Sequence, residues 1–320
     1  MSAMGPPIQA VPSELLDHLA ELGLVASACL PLPGDASTRR FFRITLTTGG
    51  SVIAALYSGG DEDTARRDAE VQRWALHRGL PVPGLVAALG RLTVSDDLGS
   101  RDLAGEPPGA ALGAIEPMLV ALEAYQRVPW HDAPNPPFDA VRFRGELDAF
   151  CTHALPRGGR CNSDIIAYLD SLAESLAGHP YRLVHRDFHA MNLLLSEGRC
   201  WTVDFQDLRG GPDTYDLASL LRERGGTRMF PEPDSILEES SRRLGWTPGW
   251  RRRFFECASQ RGLKVIGTFL RLAEGGRPHY GTYLPEVGRA TVSALRYLGA
   301  PIALVGAVAD IVRPNRYHTG

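Results

Sequence analysis

Starting at residue 184 the chain reads Val-His-Arg-Asp-Phe-His-Ala-Met-Asn, and starting at residue 203 it reads Val-Asp-Phe-Gln-Asp. One carboxylate, Asp187, is followed five residues later by an amide, Asn192, and twelve beyond that by a second carboxylate, Asp204. Phosphoryl transfer from a nucleotide asks for groups of these kinds: a base to take an acceptor hydroxyl proton, and oxygen donors to hold a metal against the phosphates. Asp187 suits the first task. Asn192 offers magnesium a neutral oxygen and Asp204 a charged one that can bridge the metal to the β- and γ-phosphates. Magnesium keeps several waters, so two protein ligands suffice. The implied cofactors are ATP and Mg2+. His185 and His189 stand four apart, as zinc ligands on a helix do, but Arg186 occupies the place a metalloprotease gives to glutamate. His185 reads instead as a buried, hydrogen-bonding residue that steadies the loop.

These residues need a scaffold. Apolar spacing predicts a short helix over residues 12–24. Residues 41–47 and 51–57 read as a hairpin turning at Gly49 and Gly50. A charged helix over 61–78 stops at Gly79 and Pro81, and residues 86–94 read as one strand leading into a linker. Beyond it the pattern is mostly helical, over 110–126, 164–176, 215–224, 251–272 and 284–298. A second hairpin, 192–195 with 200–204, turns at Glu197 and Gly198 and carries Asp204 at its end. The expected organisation is a β-rich lobe over 1–95, a hinge at 96–100 and a helical lobe over 101–320.

Composition narrows the partners. The net charge is −3 over 320 residues, with 44% hydrophobic residues. The one short basic run, Arg251 to Arg253, reads as a solvated helix face, and no nucleic-acid footprint is expected. Five scattered cysteines without a CxxC pair fit a reducing compartment rather than a disulfide framework. No apolar stretch approaches the ~20 residues of a membrane span. The expectation is a cytoplasmic protein with a small-molecule partner, no membrane and no obligate protein partner.

Several further motifs join the catalytic segment: Gly34-Asp-Ala-Ser-Thr-Arg-Arg-Phe-Phe-Arg43, Asp97-Leu-Gly99, Gly211-Pro-Asp-Thr-Tyr-Asp-Leu-Ala-Ser-Leu-Leu221, Gly262-Leu-Lys-Val-Ile-Gly-Thr-Phe-Leu-Arg-Leu272 and Tyr283-Leu-Pro285. Together they resemble the aminoglycoside phosphotransferase and choline kinase superfamily. Within it they are most similar to the anomeric N-acetylmuramate/N-acetylglucosamine kinases of cell-wall recycling. The resemblance runs from about residue 34 to 299. It implies an α+β fold like that of the protein kinases, two-lobed, with a small β-rich N-terminal lobe and a larger helical C-terminal lobe. It also implies that the enzyme phosphorylates the C1 hydroxyl of one or both sugars. By the same resemblance Asp187 is the base, and Asn192 and Asp204 hold magnesium. Gly34, Asp35, Ala36 and Ser37 form the turn over the phosphates. The backbone at Ser95, Asp96, Asp97 and Leu98 meets adenine. Asp216 caps its helix or ties down the catalytic loop.

Two departures stand out. Kinases of this fold place a lysine on the third strand of the small lobe, paired with a helix glutamate. The strand Val52-Ile-Ala-Ala-Leu56 has none, and Lys264 is the only lysine in the chain. Arg40 or Arg43 then becomes the candidate for the phosphate charge, with Glu70 as its partner. The segment Tyr57-Ser-Gly-Gly60 also lacks the Asp-Ala-Pro expected after that strand. Acceptor recognition is open to Gln206, Asp207, Arg209 and Arg222, each of which could equally stand behind the site. Other acceptors (an aminoglycoside, choline or homoserine) stay open, as does a nucleotide-binding module without turnover.

Overall fold

The computed structural model describes residues 11–33, 39–155, 163–223, 226–230 and 233–312. They fall into two compact units, Met1–Ser100 and Arg101–Gly320.

The smaller unit is a five-stranded antiparallel sheet with two helices. In chain order it runs α1 (Ser13–Glu21), β1 (Ala26–Pro31), β2 (Arg40–Leu46), β3 (Ser51–Leu56), α2 (Glu62–His77), β4 (Leu85–Leu89) and β5 (Leu92–Asp96). The strand order is β1-β2-β3-β5-β4. Alternation along the strands sorts side chains to the two faces. Phe42, Ile44, Val52, Ala54, Leu56, Leu92 and Val94 bury against Leu15 and Leu19 of α1. The intervening Phe41, Ala55 and Tyr57 meet Ala65 of α2. The expected hairpin forms as β2 and β3, with Gly49 and Gly50 at φ of 94° and 79°. Residues 86–94 are not one strand. They contribute to two, β4 and β5, which fold back at Gly90 with φ 52°. Strand β1, unmarked by any alternation, adds an edge by pairing with β2.

The larger unit continues with α3 (Pro108–Arg127), α4 (Ala140–Gly145), α5 (Asp148–His153), α6 (Ser163–Ala177), β6 (Tyr181–Val184), β7 (Leu193–Ser196), β8 (Arg199–Thr202) and β9 (Arg209–Pro212). It ends with α7 (Tyr215–Arg222), α8 (Gly226–Met229), α9 (Asp234–Arg243), α10 (Trp250–Glu274), α11 (Leu284–Tyr297) and α12 (Ile302–Ile311). The strands make two antiparallel pairs, β6–β9 and β7–β8. Helix α10, about 37 Å long at 1.5 Å per residue, joins two apolar cores. Phe254, Cys257 and Ala258 sit in one, and Leu263, Ile266 and Phe269 in the other. Two glycines set how closely its neighbours approach. A Cβ on Gly267 would lie 2.2 Å from the Phe150 backbone nitrogen, and one on Gly262 would lie 2.1 Å from Thr291 Oγ1. The helix can therefore seat α5 and α11 at contacts no side chain would permit.

The basic run at its start is not a solvated face throughout. Arg251 and Arg252 reach Asp234, Glu238 and Glu256, whereas Arg253 is buried in a two-bond pair with Asp213 at 2.7 and 3.1 Å. Among the described residues no helix is long and apolar enough to cross a membrane, and Cys29, Cys151, Cys200 and Cys257 are free thiols.

Candidate active site

The segment after β6 leaves the sheet at His185 and reaches Leu193 through a 3-10 turn, Ala190–Asn192. Its backbone is strained at one position: Arg186 has φ 79°, a left-handed value that costs a side-chain-bearing residue on the order of 1–3 kcal/mol. The surroundings hold it there. The Asp216 carboxylate, near the start of α7, accepts both the His185 N–H (2.7 Å) and the Arg186 N–H (2.9 Å). Helix α7 has no side-chain cap, so of the two tasks open to Asp216 it performs the loop tie. Burial above all pushes the Asp216 pKa up to about 7, against the pull of those two donors.

From the other side Arg261 of α10, with 1% of its side chain exposed, grips the loop. It donates to the Arg186 carbonyl, lies 3.4 Å from Asp187 Oδ1, and is anchored by Glu223 at 2.5 and 3.0 Å. The Arg186 side chain is pinned by Glu146 (2.9 Å) and Asp207. Asp187 itself is 29% exposed. Burial works to raise its pKa, but the charges of Lys264, Arg261 and Arg186 outweigh that and hold it below the usual carboxylate range. His185 is fully buried, with its ring edge-on to Tyr125 and Phe188, and burial lowers its pKa.

Asn192 and Asp204 emerge side by side. Strands β7 and β8 pair from Leu193↔Thr202, and the Val203 N–H donates to the Asn192 carbonyl at 3.0 Å. The Asn192 amide donates to the Asp187 carbonyl (2.9 Å) and lies 3.3 Å from His189 Nε2, which orients its oxygen as the remaining acceptor. Asp204 is exposed, two residues past β8, at φ 62°, a conformation aspartate tolerates better than most residues. An amide oxygen beside a carboxylate is a hard-oxygen donor pair that fits magnesium with phosphate and water completing its shell. Among the described residues no group of three or more His, Cys, Asp or Glu could hold a metal.

The other sequence candidates divide. Asp207, 51% exposed, pairs with Arg186 and Arg209, and the Gln206 carbonyl is held by Asn135 Nδ2 at 2.9 Å. Arg209 is buried and spends its donors on Asp207 and the Pro136 carbonyl, so it braces the turn. Arg222 packs over Phe254 and Phe255 rather than beside Asp187. Glu146, Glu223, Gln260, Arg261 and Lys264 were not anticipated. For the last three the sequence signal is the polar trio at 260, 261 and 264 in the middle of the helix, ahead of the apolar run that starts at Val265.

In the smaller unit, Gly34, Asp35, Ala36 and Ser37 lie outside the described residues. Arg43 does not pair with Glu70: its guanidinium forks onto Asp97 at 2.7 and 3.0 Å, where Ser51 also donates. Burial raises the Asp97 pKa, and Arg43, Ser51 and the Gly99 N–H more than offset it. Glu70 is exposed. The ion pair that forms on α2 joins Asp68 to Arg39, just ahead of β2 (3.3 Å), and the Tyr57 hydroxyl also donates to Asp68. Residues 68 and 70 point about 200° apart around a helix, so only one of them can face the strand. Arg40 lies over the Phe42 ring. Ser95 Oγ accepts from Gln72 (2.9 Å), Asp96 from the Gly84 N–H (3.1 Å), and Leu98 is half-buried.

A family model described as a phosphotransferase enzyme family matches residues 28–254, well over half of the chain. The chain belongs to that family. This phosphotransferase is 30% identical over 297 residues to an N-acetylmuramate/N-acetylglucosamine kinase of Pseudomonas aeruginosa, covering 83% of each chain. To the protein of the same name from Neisseria meningitidis serogroup B it is 31% identical, over 80% of this chain and 81% of that one. A solved aminoglycoside phosphotransferase bound to ADP and hygromycin B superposes with a TM-score of 0.62 at 16% identity, over 95% of this chain and 99% of that one. The fold is therefore the kinase-like α+β fold of these phosphotransferases, with an antiparallel sheet in the N-terminal unit and a larger helical C-terminal unit.

Proposed function

We propose that this phosphotransferase is an ATP-dependent kinase of amino sugars that phosphorylates the C1 hydroxyl of N-acetylmuramate, N-acetylglucosamine or both. The observation that carries the reading is the presentation of Asp187: a partly exposed carboxylate held ionised by Lys264, Arg261 and Arg186 beside the Asn192–Asp204 oxygen pair. The relatives' shared name supports the acceptor class. The neighbour bound to ADP supports the donor.

In this reading Asp187 orients the acceptor hydroxyl and takes its proton as the hydroxyl oxygen bonds to the γ-phosphorus, while the bond to the β–γ bridging oxygen breaks and ADP departs. Asn192 and Asp204 would hold Mg2+, which when bound neutralises charge on the phosphates. Asp216 and Arg261 keep the base at its station. In the smaller unit, Arg40 is a candidate to face the phosphates, and the backbone of residues 95–98 to meet adenine. By the family resemblance, residues 34–37 would supply the turn over the phosphates.

An ADP-release assay with Mg-ATP against N-acetylmuramate, N-acetylglucosamine, glucose, choline and kanamycin, with phosphorus NMR of the product, tests the proposal. An anomeric phosphate on an N-acetyl sugar is the expected result. Turnover on choline or kanamycin with silence on both sugars would overturn the acceptor assignment and leave the phosphotransferase chemistry.

A further inference from the structure

Lys264 is the only lysine in the chain, and the fold brings it to the charge cluster around Asp187. It lies one helical turn beyond Gln260 on α10, so the two side chains share a face. Gln260 Nε2 donates to Glu146 at 3.0 Å, and Glu146 is the ion-pair partner of Lys264 at 3.7 Å. That separation exceeds a hydrogen bond, and Glu146 is already engaged by Arg186 and Gln260. An ammonium carries three N–H donors, and the Lys264 ammonium makes no hydrogen bond among the described residues. Arg261, three residues earlier, has spent its guanidinium on Glu223, the Arg186 carbonyl and Asp187, and is buried. Lys264 keeps 17% of its side chain exposed. A mostly buried cation with unspent donors is costly unless something satisfies it.

The side from which it approaches matters too. Helix α10 packs on α5, α7 and α11, whereas the hairpin carrying Asn192 and Asp204 packs on α3 and the turn at 103–105. Lys264 therefore reaches the base from the helical side, and the phosphate-holding pair stands on the hairpin side. We propose that Lys264 reads the acceptor, its ammonium taking the lactyl carboxylate that N-acetylmuramate carries and N-acetylglucosamine lacks. This rests on the amino-sugar reading given above.

The test is steady-state kinetics of the full chain with Mg-ATP on both sugars, wild type against Lys264→Met. A charge-assisted hydrogen bond of ordinary strength predicts that kcat/KM for N-acetylmuramate falls on the order of 10- to 100-fold, mainly through KM. N-acetylglucosamine should lose less, and only the share carried in kcat that Lys264 contributes by helping to hold Asp187 ionised, because a carboxylate contact contributes nothing to a sugar without one. Equal losses on both sugars, carried in kcat, would instead tie Lys264 to the base or the transferring phosphoryl group and overturn the proposal. No loss on either sugar would overturn it as well. A second measurement does not depend on the variant folding: wild type is given N-acetylmuramate with its carboxylate converted to the primary amide. The amide should lose the same 10- to 100-fold, and an amide used as well as the acid would overturn the assignment. Wild type silent on both sugars would overturn the amino-sugar reading itself, and the role of Lys264 with it.

Discussion

At the scale of single residues, Asp187 and Asp204 carry the same chemical group and are distinguished by their surroundings. Asp187 lies among cations, with Arg261 at 3.4 Å and Lys264 and Arg186 acting on it through space. Asp204 stands exposed at the end of its hairpin. Asp187→Asn should cut turnover by about 10²–10⁴-fold, the usual contribution of a general base, while nucleotide affinity measured by calorimetry stays within a factor of about three. Asp204→Ala should do the converse, weakening nucleotide binding in the presence of magnesium. An Asp187→Asn variant with normal kcat, or an Asp204→Ala variant with normal affinity, would reverse the assignments. Type and spacing alone single out both residues as candidates. They do not single out Arg261, because an arginine inside a helix announces neither its burial nor its partner 74 positions away. Glu70 misleads for a related reason: nearness in sequence does not fix the helix phase, which puts Asp68, and not Glu70, toward the sheet.

At the scale of elements, α7 and α10 exert force on a loop they do not belong to. Asp216→Ala would leave the His185 and Arg186 N–H groups buried without an acceptor and release a left-handed arginine. We expect a loss of about 2–4 kcal/mol in denaturant unfolding together with lower turnover. Stability within about 0.5 kcal/mol of wild type would show that the tie is dispensable. A second junction should respond to pH. Glu256 of α10 accepts from Ser175 (2.8 Å), His179 (2.7 Å) and Arg252 (2.9 Å). Burial raises its pKa, but His179, Ser175 and Arg252 prevail and bring it below the usual value. A folded pKa below the unfolded one, roughly 4.3, gives stability that is present above that value and lost as pH falls through the folded one. The stability gap between wild type and Glu256→Gln should therefore be widest near neutrality and shrink as pH falls below the unfolded value of roughly 4.3. A gap independent of pH would sink the argument. The long helices were readable from their periodicity, and so were β2 and β3. Strands β1, β6 and β9 were not: β9 is Arg-Gly-Gly-Pro, with no alternation to read, and tertiary packing alone makes it a strand.

At the scale of the whole molecule, two compact units with separate apolar cores share one chain. Magnesium with a non-hydrolysable ATP analogue at about 100 times Kd should add roughly 2.7 kcal/mol to the folded state. For a chain of this size that is a rise of about 4 °C in Tm, readable by calorimetry and absent in Asp204→Ala at the same concentration. A wild-type transition that ignores the nucleotide would count against the donor assignment. The distribution of basic residues between the units has a practical corollary for chemical labelling. Lysine is missing from the whole of residues 1–100 and occurs once in the remainder. An acylating group carried on a nucleotide would thus find no side-chain amine in the smaller unit, and an amine-reactive ester would find one such target in the entire chain. Cleavage by a lysine-specific protease should likewise cut after that single position. That single amine stands beside the proposed base, so acylating it should abolish the preference its ammonium is proposed to give, and bound N-acetylmuramate should shield it from the reagent.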